Sequence, residues 1–478
     1  MISFILCLIA LVVGYFVYGS IVEKIFGIDE KRQTPAYSKQ DGVDFIPMPT
    51  WKVFMIQFLN IAGLGPIFGA ILGAKFGTAS FLWIVLGCIF AGGTHDFISG
   101  MLSLRHKGES LPEIIGRYLG NNFKQFMRAF TVILMILVGA VFVMGPAGLL
   151  KDLTPDYMDE LFWIIVIFAY YILATLLPVD KIIGKIYPLF AAALLFMAFG
   201  IMVALFVSWP SIPELTDKIV NTHPKGLPIF PIMYISIACG AISGFHATQS
   251  PLMARCLTNE KYAKPVFFGS MITEGIVALV WAAAAIVYFN ANGMAESNAA
   301  VIVNDITTKE LGTFGGMLAI LGVIAAPIST GDTAFRSARL IVADFLHWDQ
   351  KKIAKRLLIS IPLFLVAIGL LVFNLQDKDG FSLIWRYFAW WNQTLAMITL
   401  WTVTVYLAMK KKFYLITLLP AIFMTIVTVT YILVAPEGLS LDMTISLTIG
   451  IVTSIAITLL FFWRKTATKG YSTLHTGD

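Results

Sequence analysis

Asn60-Ile-Ala-Gly-Leu-Gly-Pro66 and Cys239-Gly-Ala-Ile-Ser-Gly-Phe-His-Ala-Thr-Gln-Ser-Pro251 are the two stretches on which the reading of this chain turns. Each sets glycines, polar side chains and a proline in the middle of an apolar run of membrane-spanning length. Proline removes a backbone donor and clashes with the preceding turn, so a helix is expected to break at both places. One such break is a common kink in a membrane helix, because Gly and Pro are frequent there. Two at matching places in two halves of a chain are the sequence mark of a midplane binding site between inverted repeats.

The surroundings fit that reading. The 478 residues are 58% hydrophobic and only 13% charged, against about a quarter charged in a soluble domain, with a mean hydropathy of +0.83. These values exclude a soluble fold. Windows of bilayer length fall near 2–22, 52–74, 79–103, 126–150, 160–178, 187–208, 229–254, 264–290, 309–335, 353–374, 381–408, 413–435 and 440–463. The expected architecture is one all-α polytopic membrane domain, residues 1–478, of about 13 transmembrane helices. The loops between them are too short for a second soluble domain. The first run, Ile2 to Val22, lacks a basic leader and a small-x-small cleavage site, and so reads as a retained helix.

Loops after odd-numbered windows hold 26 of the 34 Lys and Arg residues, and the opposite loops six. The positive-inside rule then places the N-terminus outside and the C-terminus inside. The net charge of +6 reports topology and not nucleic-acid binding. Cys7, Cys88, Cys239 and Cys256 lie in or beside apolar runs without paired spacing, so neither a disulfide framework nor a thiolate metal site is indicated.

The two breaks are five windows apart, and five is odd. Windows 2–6 (52–208) and 7–11 (229–408) therefore become a 5+5 inverted repeat with discontinuous helices 2 and 7. Residues 1–30 and 413–463 are then peripheral.

Ionisable groups in a bilayer cost several kcal/mol each and mark functional candidates. Asp96, Glu274 and Asp332 are the carboxylates, with His246 inside the second break and His95 beside Asp96. Glu274 has no charge near it in sequence, which suits a carboxyl that loads and unloads a proton. For Asp96 and Asp332 the alternative is an ion pair with Arg105, Arg336 or Arg339 that only pins helices. His246 in an unwound turn is a ligand contact, the alternative being a histidine packed by hydrogen bonds, and His95 reads as support for Asp96. Ser329, Thr330 and Thr333 cluster hydroxyls beside Asp332, which suits a hard cation such as Na⁺ between windows 2 and 9; serine and threonine as small packing residues are the alternative. Arg386 lies in an aromatic run, Arg386-Tyr-Phe-Ala-Trp-Trp-Asn-Gln393, as a carboxylate partner or as part of an interfacial belt. HExxH, Walker A and GxSxG patterns are absent, so no enzyme is indicated. Asp96 with Asp332 is the only aspartate pair for an intramembrane protease.

Arg32-Gln-Thr-Pro35 with Asp41-Gly-Val-Asp44, Ile61-Ala-Gly-Leu-Gly-Pro66, His95-Asp96-Phe97, Ala238-Cys-Gly-Ala-Ile-Ser-Gly-Phe-His246 and Gly331-Asp332 through Ala338-Arg339 occur in order. Together they resemble the carbon starvation protein family, the CstA-type transporters, from the N-terminus to about window 11. The sequence departs from that pattern in His95, where glutamine is expected, and in Thr248-Gln249 after Phe245-His246. The resemblance implies bacterial inner-membrane uptake of pyruvate or short peptides driven by a cation gradient, in an architecture similar to the LeuT or amino-acid–polyamine–organocation fold.

The sequence thus leads to a secondary transporter coupled to H⁺ or Na⁺, with no cofactor, no bound metal centre and no nucleic-acid partner. A small monocarboxylate or peptide is expected to meet Asn60, the freed amides of Gly63 and Gly65, Ser243, His246, Thr248, Gln249 and Arg386. Asp96, Glu274, Ser329, Thr330, Asp332 and Thr333 are the ion-coupling candidates. The alternatives are a channel, which would show a polar stripe along one unbroken window, and a nutrient sensor retaining the transporter fold, which would carry a long cytoplasmic output domain.

Overall fold

The computed structural model describes residues 1–176, 183–217, 219–294, 299–350, 352–376 and 380–467. Lys181, Lys218, Lys351, Lys378 and Lys469, which entered the charge count, lie outside them. The described residues are helical and contain no strand. Eight of their helices are long and apolar enough to cross a membrane, and a bent pair makes a ninth.

In chain order the elements used below are α1 (Ile2–Phe26), α2 (Thr50–Ala62), α3 (Gly65–Ala74), α4 (Ala79–Arg105) and α5 (Asn121–Leu153). Then follow α6 (Glu160–Leu176), α7 (Ile183–Ser208), α8 (Gly244–Ala254), α9 (Gly269–Asn292) and α10 (Ala299–Leu346). The last four are α11 (Ile353–Gln376), α12 (Gly380–Met409), α13 (Leu415–Val434) and α14 (Met443–Ala467). The apolar stretches of α4 and α5 and the segment Glu260–Asn292 ending α9 are 83%, 78% and 78% buried, whereas those of α1 and α14 are 28% and 22% buried. With lipid as solvent a helix stays outside unless it carries small or polar residues for its neighbours; α4 and α9 carry both, and α1 and α14 present long aliphatic side chains instead.

The first break is sharp. α2 ends at Ala62, Gly63 adopts φ +45° and ψ −137°, and α3 leaves at 51° to α2. Only glycine takes that conformation cheaply. Pro66 then sits in a widened π turn over Gly65–Gly69, which spaces its ring away from the turn before it.

The second break lies earlier than its proline suggests. A short helical stretch ends at Ser236, the backbone over 237–243 is irregular, and α8 starts at Gly244 with Ser243 extended before it (φ −148°, ψ 129°). Pro251 is inside α8. His246, Thr248 and Gln249 therefore ride on the first turns of a helix and not in an unwound turn. Side chains of α12 hold the irregular backbone: the Phe245 N–H donates to Asn392 Oδ1 at 2.6 Å, and Gln393 Nε2 donates to the Ile242 carbonyl at 2.9 Å. A Cβ on Gly244 would come within 2.4 Å of the Ala396 nitrogen, so glycine there lets α12 approach closely enough to do this. Those bonds satisfy backbone groups that a break at membrane depth would leave bare.

Contacts between loops sort the chain into two ends. At the basic end, Arg105 pairs with Glu260 at 3.0 Å, Glu260 also accepts from the Asp29 N–H, Lys412 reaches the Phe26 carbonyl, and Asp44 meets Arg336. At the other end Thr222 bonds the Lys75 carbonyl, Tyr288 bonds Asp305 and Tyr387 bonds the Glu437 carbonyl.

Candidate functional site

The two breaks touch. A Cβ on Gly65 would lie 2.1 Å from the Cβ of Cys239, so the start of α3 and the irregular segment before α8 are in direct backbone-level contact. α4 and α9 pass the same region and bring the ionisable groups to it.

Four of these groups form one buried chain. Asp96 on α4 takes the N–H of two imidazoles, His95 Nδ1 at 2.7 Å on Oδ1 and His246 Nδ1 at 2.8 Å on Oδ2. The other nitrogen of His246, Nε2, faces Glu274 Oε2 on α9 at 3.4 Å. All four side chains have no exposed surface. With its Nδ1–H committed to the Asp96 carboxylate, His246 presents a basic Nε2 to Glu274. A proton placed in that gap would sit either on Glu274 facing a neutral imidazole or on His246 facing a carboxylate. Among the described residues His95 Nε2, His246 Nε2 and both Glu274 oxygens make no hydrogen bond to protein. A buried polar atom left without a partner costs about 1–3 kcal/mol, so these four atoms are open to a proton, water or ligand.

Further orphaned groups lie on the broken helices. Asn60 and Gln57 are fully buried on α2, and neither amide has a partner. Three residues apart, they share one helix face. Gln57 escaped the sequence reading although its spacing from Asn60 was the signal. Gln249 Nε2 donates to Thr248 Oγ1 at 3.0 Å and Ser337 Oγ at 3.3 Å while its Oε1 has no partner, and Thr248 Oγ1 donates to the Phe245 carbonyl at 2.6 Å. Ser243 Oγ receives a weak contact from the Cys239 thiol at 3.7 Å. Gly63 contributes its backbone, with the Phe142 ring 2.9 Å from where a Cβ would stand.

Asp332 does not join this chain. Its Oδ2 accepts the Tyr187 hydroxyl of α7 at 2.6 Å, and that hydroxyl also lies 3.2 Å from the Ser329 carbonyl. Thr330 Oγ1 lies 3.0 Å from the Leu59 carbonyl at the end of α2 and 2.9 Å from the Ala326 carbonyl. Ser329 and Thr333 donate to carbonyls of their own helix, at Ala326 and Thr330. α10 is thus seated against the first break through oxygen atoms. Of the arginines offered as partners for Asp96 and Asp332, Arg105 pairs with Glu260, and Arg336 and Arg339 reach Asp44 at 3.5 and 3.7 Å. Arg386 is 47% exposed and lies 3.3 Å from Glu437. All four cysteines are buried and free.

With this geometry in place the comparisons are specific. The carbon starvation protein CstA family model matches residues 1–156, 151–308 and 288–431. An uncharacterized membrane protein of Haemophilus influenzae is 46% identical over 60% of this chain and 91% of its own length. The peptide transporter CstA of Bacillus subtilis is 28% identical over 89% of this chain and 88% of its own. The pyruvate/proton symporter BtsT of Escherichia coli is 27% identical over 54% of this chain, which spans 45% of that longer protein. The fold is that of a crystallised manganese transporter from Eremococcus coleocola, a LeuT-fold protein, with a TM-score of 0.57 at 14% identity over 88% of this chain and 97% of that one. The relatives that carry a functional name are transporters and not enzymes, and with the family model matched along most of its length the chain belongs to the carbon starvation protein CstA family.

Proposed function

We propose that the protein imports a small carboxylate-bearing nutrient, a monocarboxylate such as pyruvate or a short peptide, across the bacterial inner membrane in symport with H⁺. The reading takes the chain as thirteen crossings, N-terminus outside and C-terminus inside, with 52–208 and 229–408 as inverted five-helix repeats. The observation that carries it is the buried chain His95–Asp96–His246–Glu274, which joins a titratable pair on α8 and α9 to the broken helices. A proton shared by His246 and Glu274 lies on the first turn of α8, so whatever the break binds feels its presence directly. The relatives named for peptide transport and for pyruvate/proton symport support the same class of cargo and ion.

In this reading the amides around Gly63 and Gly65 offer the cargo's carboxylate their partial positive charge. Asn60, Gln57, Ser243, Thr248 and Gln249 contact the remainder. Na⁺ is the second reading, favoured by the Thr330–Leu59 contact with Ser329, Thr333 and Asp332 beside it.

Proteoliposome uptake separates them. Labelled pyruvate and a labelled dipeptide are offered under an imposed pH gradient or an imposed Na⁺ gradient. The expected result is accumulation driven by the pH gradient alone, lost in Glu274→Gln, while exchange of internal for external cargo persists. Gradient-driven accumulation that survives in Glu274→Gln refutes the proton assignment, and accumulation driven by Na⁺ moves coupling to Asp332.

A further inference from the structure

The basic end of the molecule holds a second buried ionic cluster that the proton chain does not use. Asp44, 3% exposed, lies in the loop before α2. Arg336 and Arg339 on α10, both almost fully buried, point Nη1 and Nη2 at its Oδ1 from 3.5 and 3.7 Å. Arg255 at the end of α8 and Arg356 on α11, each 4% exposed, add to the positive field at the same carboxylate. Asp344 at the end of α10 lies in the field of Arg255, and Asp41, which lies in the field of Arg356, accepts at its Oδ1 from the N–H groups of Val43, Asp44 and Phe45. Two guanidiniums thus reach toward one carboxylate, and two more, those of Arg255 on the Gly108 carbonyl and Arg356 on the Gln350 carbonyl, contribute to the field there.

The fit of Asp44 is poor. Among the described residues its Oδ1 makes no hydrogen bond, and neither do Nε and Nη2 of Arg339, whose Nη1 donates to Gln350 Oε1 at 2.9 Å. Guanidinium–carboxylate pairs normally close to about 2.7–2.9 Å and engage both oxygens. The reason lies in the backbone: the Asp41 turn and the bond from the Met48 N–H to the Cys256 carbonyl at 3.0 Å hold the loop where a short side chain cannot reach further. A carboxylate not tied to this loop can.

The cluster is also connected to the first site. Gln249 and Thr248 on α8 contact Ser337 on α10. A cavity of about 10 Å³, room for one water, runs along Thr248, Ser337, Leu252 and Arg255. Arg255 and His246 are nine residues apart on and just beyond the same helix.

We propose that Arg255, Arg336, Arg339 and Arg356 form a second carboxylate-binding site on the path between the broken helices and the basic end, which Asp44 fills in this conformation and the cargo's carboxylate fills as it leaves. The proposal rests on the reading of the cargo as a carboxylate. Asp44 is a tethered stand-in: it keeps the arginines compensated while the path is shut, and its replacement frees the loop over α8.

Formate, the smallest carboxylate, is the probe, because it needs no knowledge of the cargo. In the purified full-length chain Asp44→Ala lowers the melting temperature. Sodium formate restores at least half of that loss saturably, equal sodium chloride does not, and the parent protein is unmoved. At ~100 times its dissociation constant a ligand raises the folded-to-unfolded ratio about 100-fold. In Asp44→Ala/Arg339→Met the formate effect disappears. No formate-specific recovery, an equal shift in the parent, or an effect that persists without Arg339 overturns the site. Should Asp44→Ala not fold, Asp44→Asn, which keeps the side chain's size and removes its charge, takes its place in the same formate and chloride comparison, with the same refuting outcomes. Formate recovery with failed uptake removes the importer reading alone; normal uptake without formate recovery removes the arginine site alone.

Discussion

Replacing Gly65 by alanine tests whether the two broken helices work as one unit. The added Cβ would stand 2.1 Å from Cys239 Cβ and 2.5 Å from its Sγ. Carbon atoms pack best at about 3.5–4.0 Å, so the overlap is about 1.5 Å. Rotating the thiol away relieves the sulfur contact and leaves the Cβ contact, which the backbone fixes. The two breaks must therefore part, at the usual overpacking cost of about 1–3 kcal/mol. If that cost falls on one conformation of a transport cycle, it changes the population of that state about 5- to 150-fold. The assay pairs a melting curve of the purified protein with counterflow in proteoliposomes. Cys239→Gly in the same molecule leaves Cys239 Cα as the nearest atom there, at 3.5 Å, an ordinary contact. The double variant should regain most of what Gly65→Ala loses, whereas Cys239→Ala, which keeps the Cβ, should not. A Gly65→Ala protein that transports and melts as the parent does, or equal rescue by alanine and glycine at 239, refutes the direct contact.

Asn392→Ala removes the acceptor for the Phe245 N–H and the donor to Cys239; leaving that amide buried should cost about 1–3 kcal/mol in a melting curve, and an unchanged curve contradicts the bond. Lys410→Cys should resist impermeant thiol reagents in intact cells and react in inside-out vesicles; labelling from outside reverses the orientation. Burial works against the charge of Asp44, but the guanidiniums of Arg339, Arg336, Arg255 and Arg356 hold its carboxyl below the ordinary carboxylate range. Its contribution is then complete above the unfolded value of about 3.9 and is lost as pH falls through the lower folded value. Asp44→Asn should cost about 3–5 kcal/mol, by a melting-temperature gap from the parent that stays constant down to about pH 4 and narrows only below it; a gap that narrows already near neutrality contradicts the sign.

The membrane class and the first break were legible because each rests on local chemistry. A run of apolar residues long enough for a bilayer excludes water-soluble folds wherever it sits, and a Gly-Leu-Gly-Pro run cannot continue a straight helix in any surroundings. The second break was legible in existence and misplaced in position. Pro251 marks where a donor is missing, and α8 tolerates that; the chain actually gives way over 237–243, because Asn392 and Gln393 on a helix about 150 residues later supply the bonds that let it. His246, Asp96 and Glu274 could each be singled out as buried ionisable groups.

Their partnership could not be read from the sequence. His95 and Asp96 are neighbours in the chain, but His246 and Glu274 arrive from 150 and 178 positions further on, and nothing local says that Asp96 meets a histidine and not one of the arginines. The same holds for Asp44: in the sequence it is one acid in a polar loop, and in the fold it is the carboxylate between Arg336 and Arg339. Composition, hydropathy and backbone chemistry act over one helix turn or one helix length, so the sequence by itself determined the solvent, the crossings to expect and where α2 breaks. Which buried charges pair is settled by distances of about 3 Å between residues far apart in the chain, and in a low-dielectric interior those pairings are worth most; only the packing of α4, α8, α9 and α10 against one another decided them.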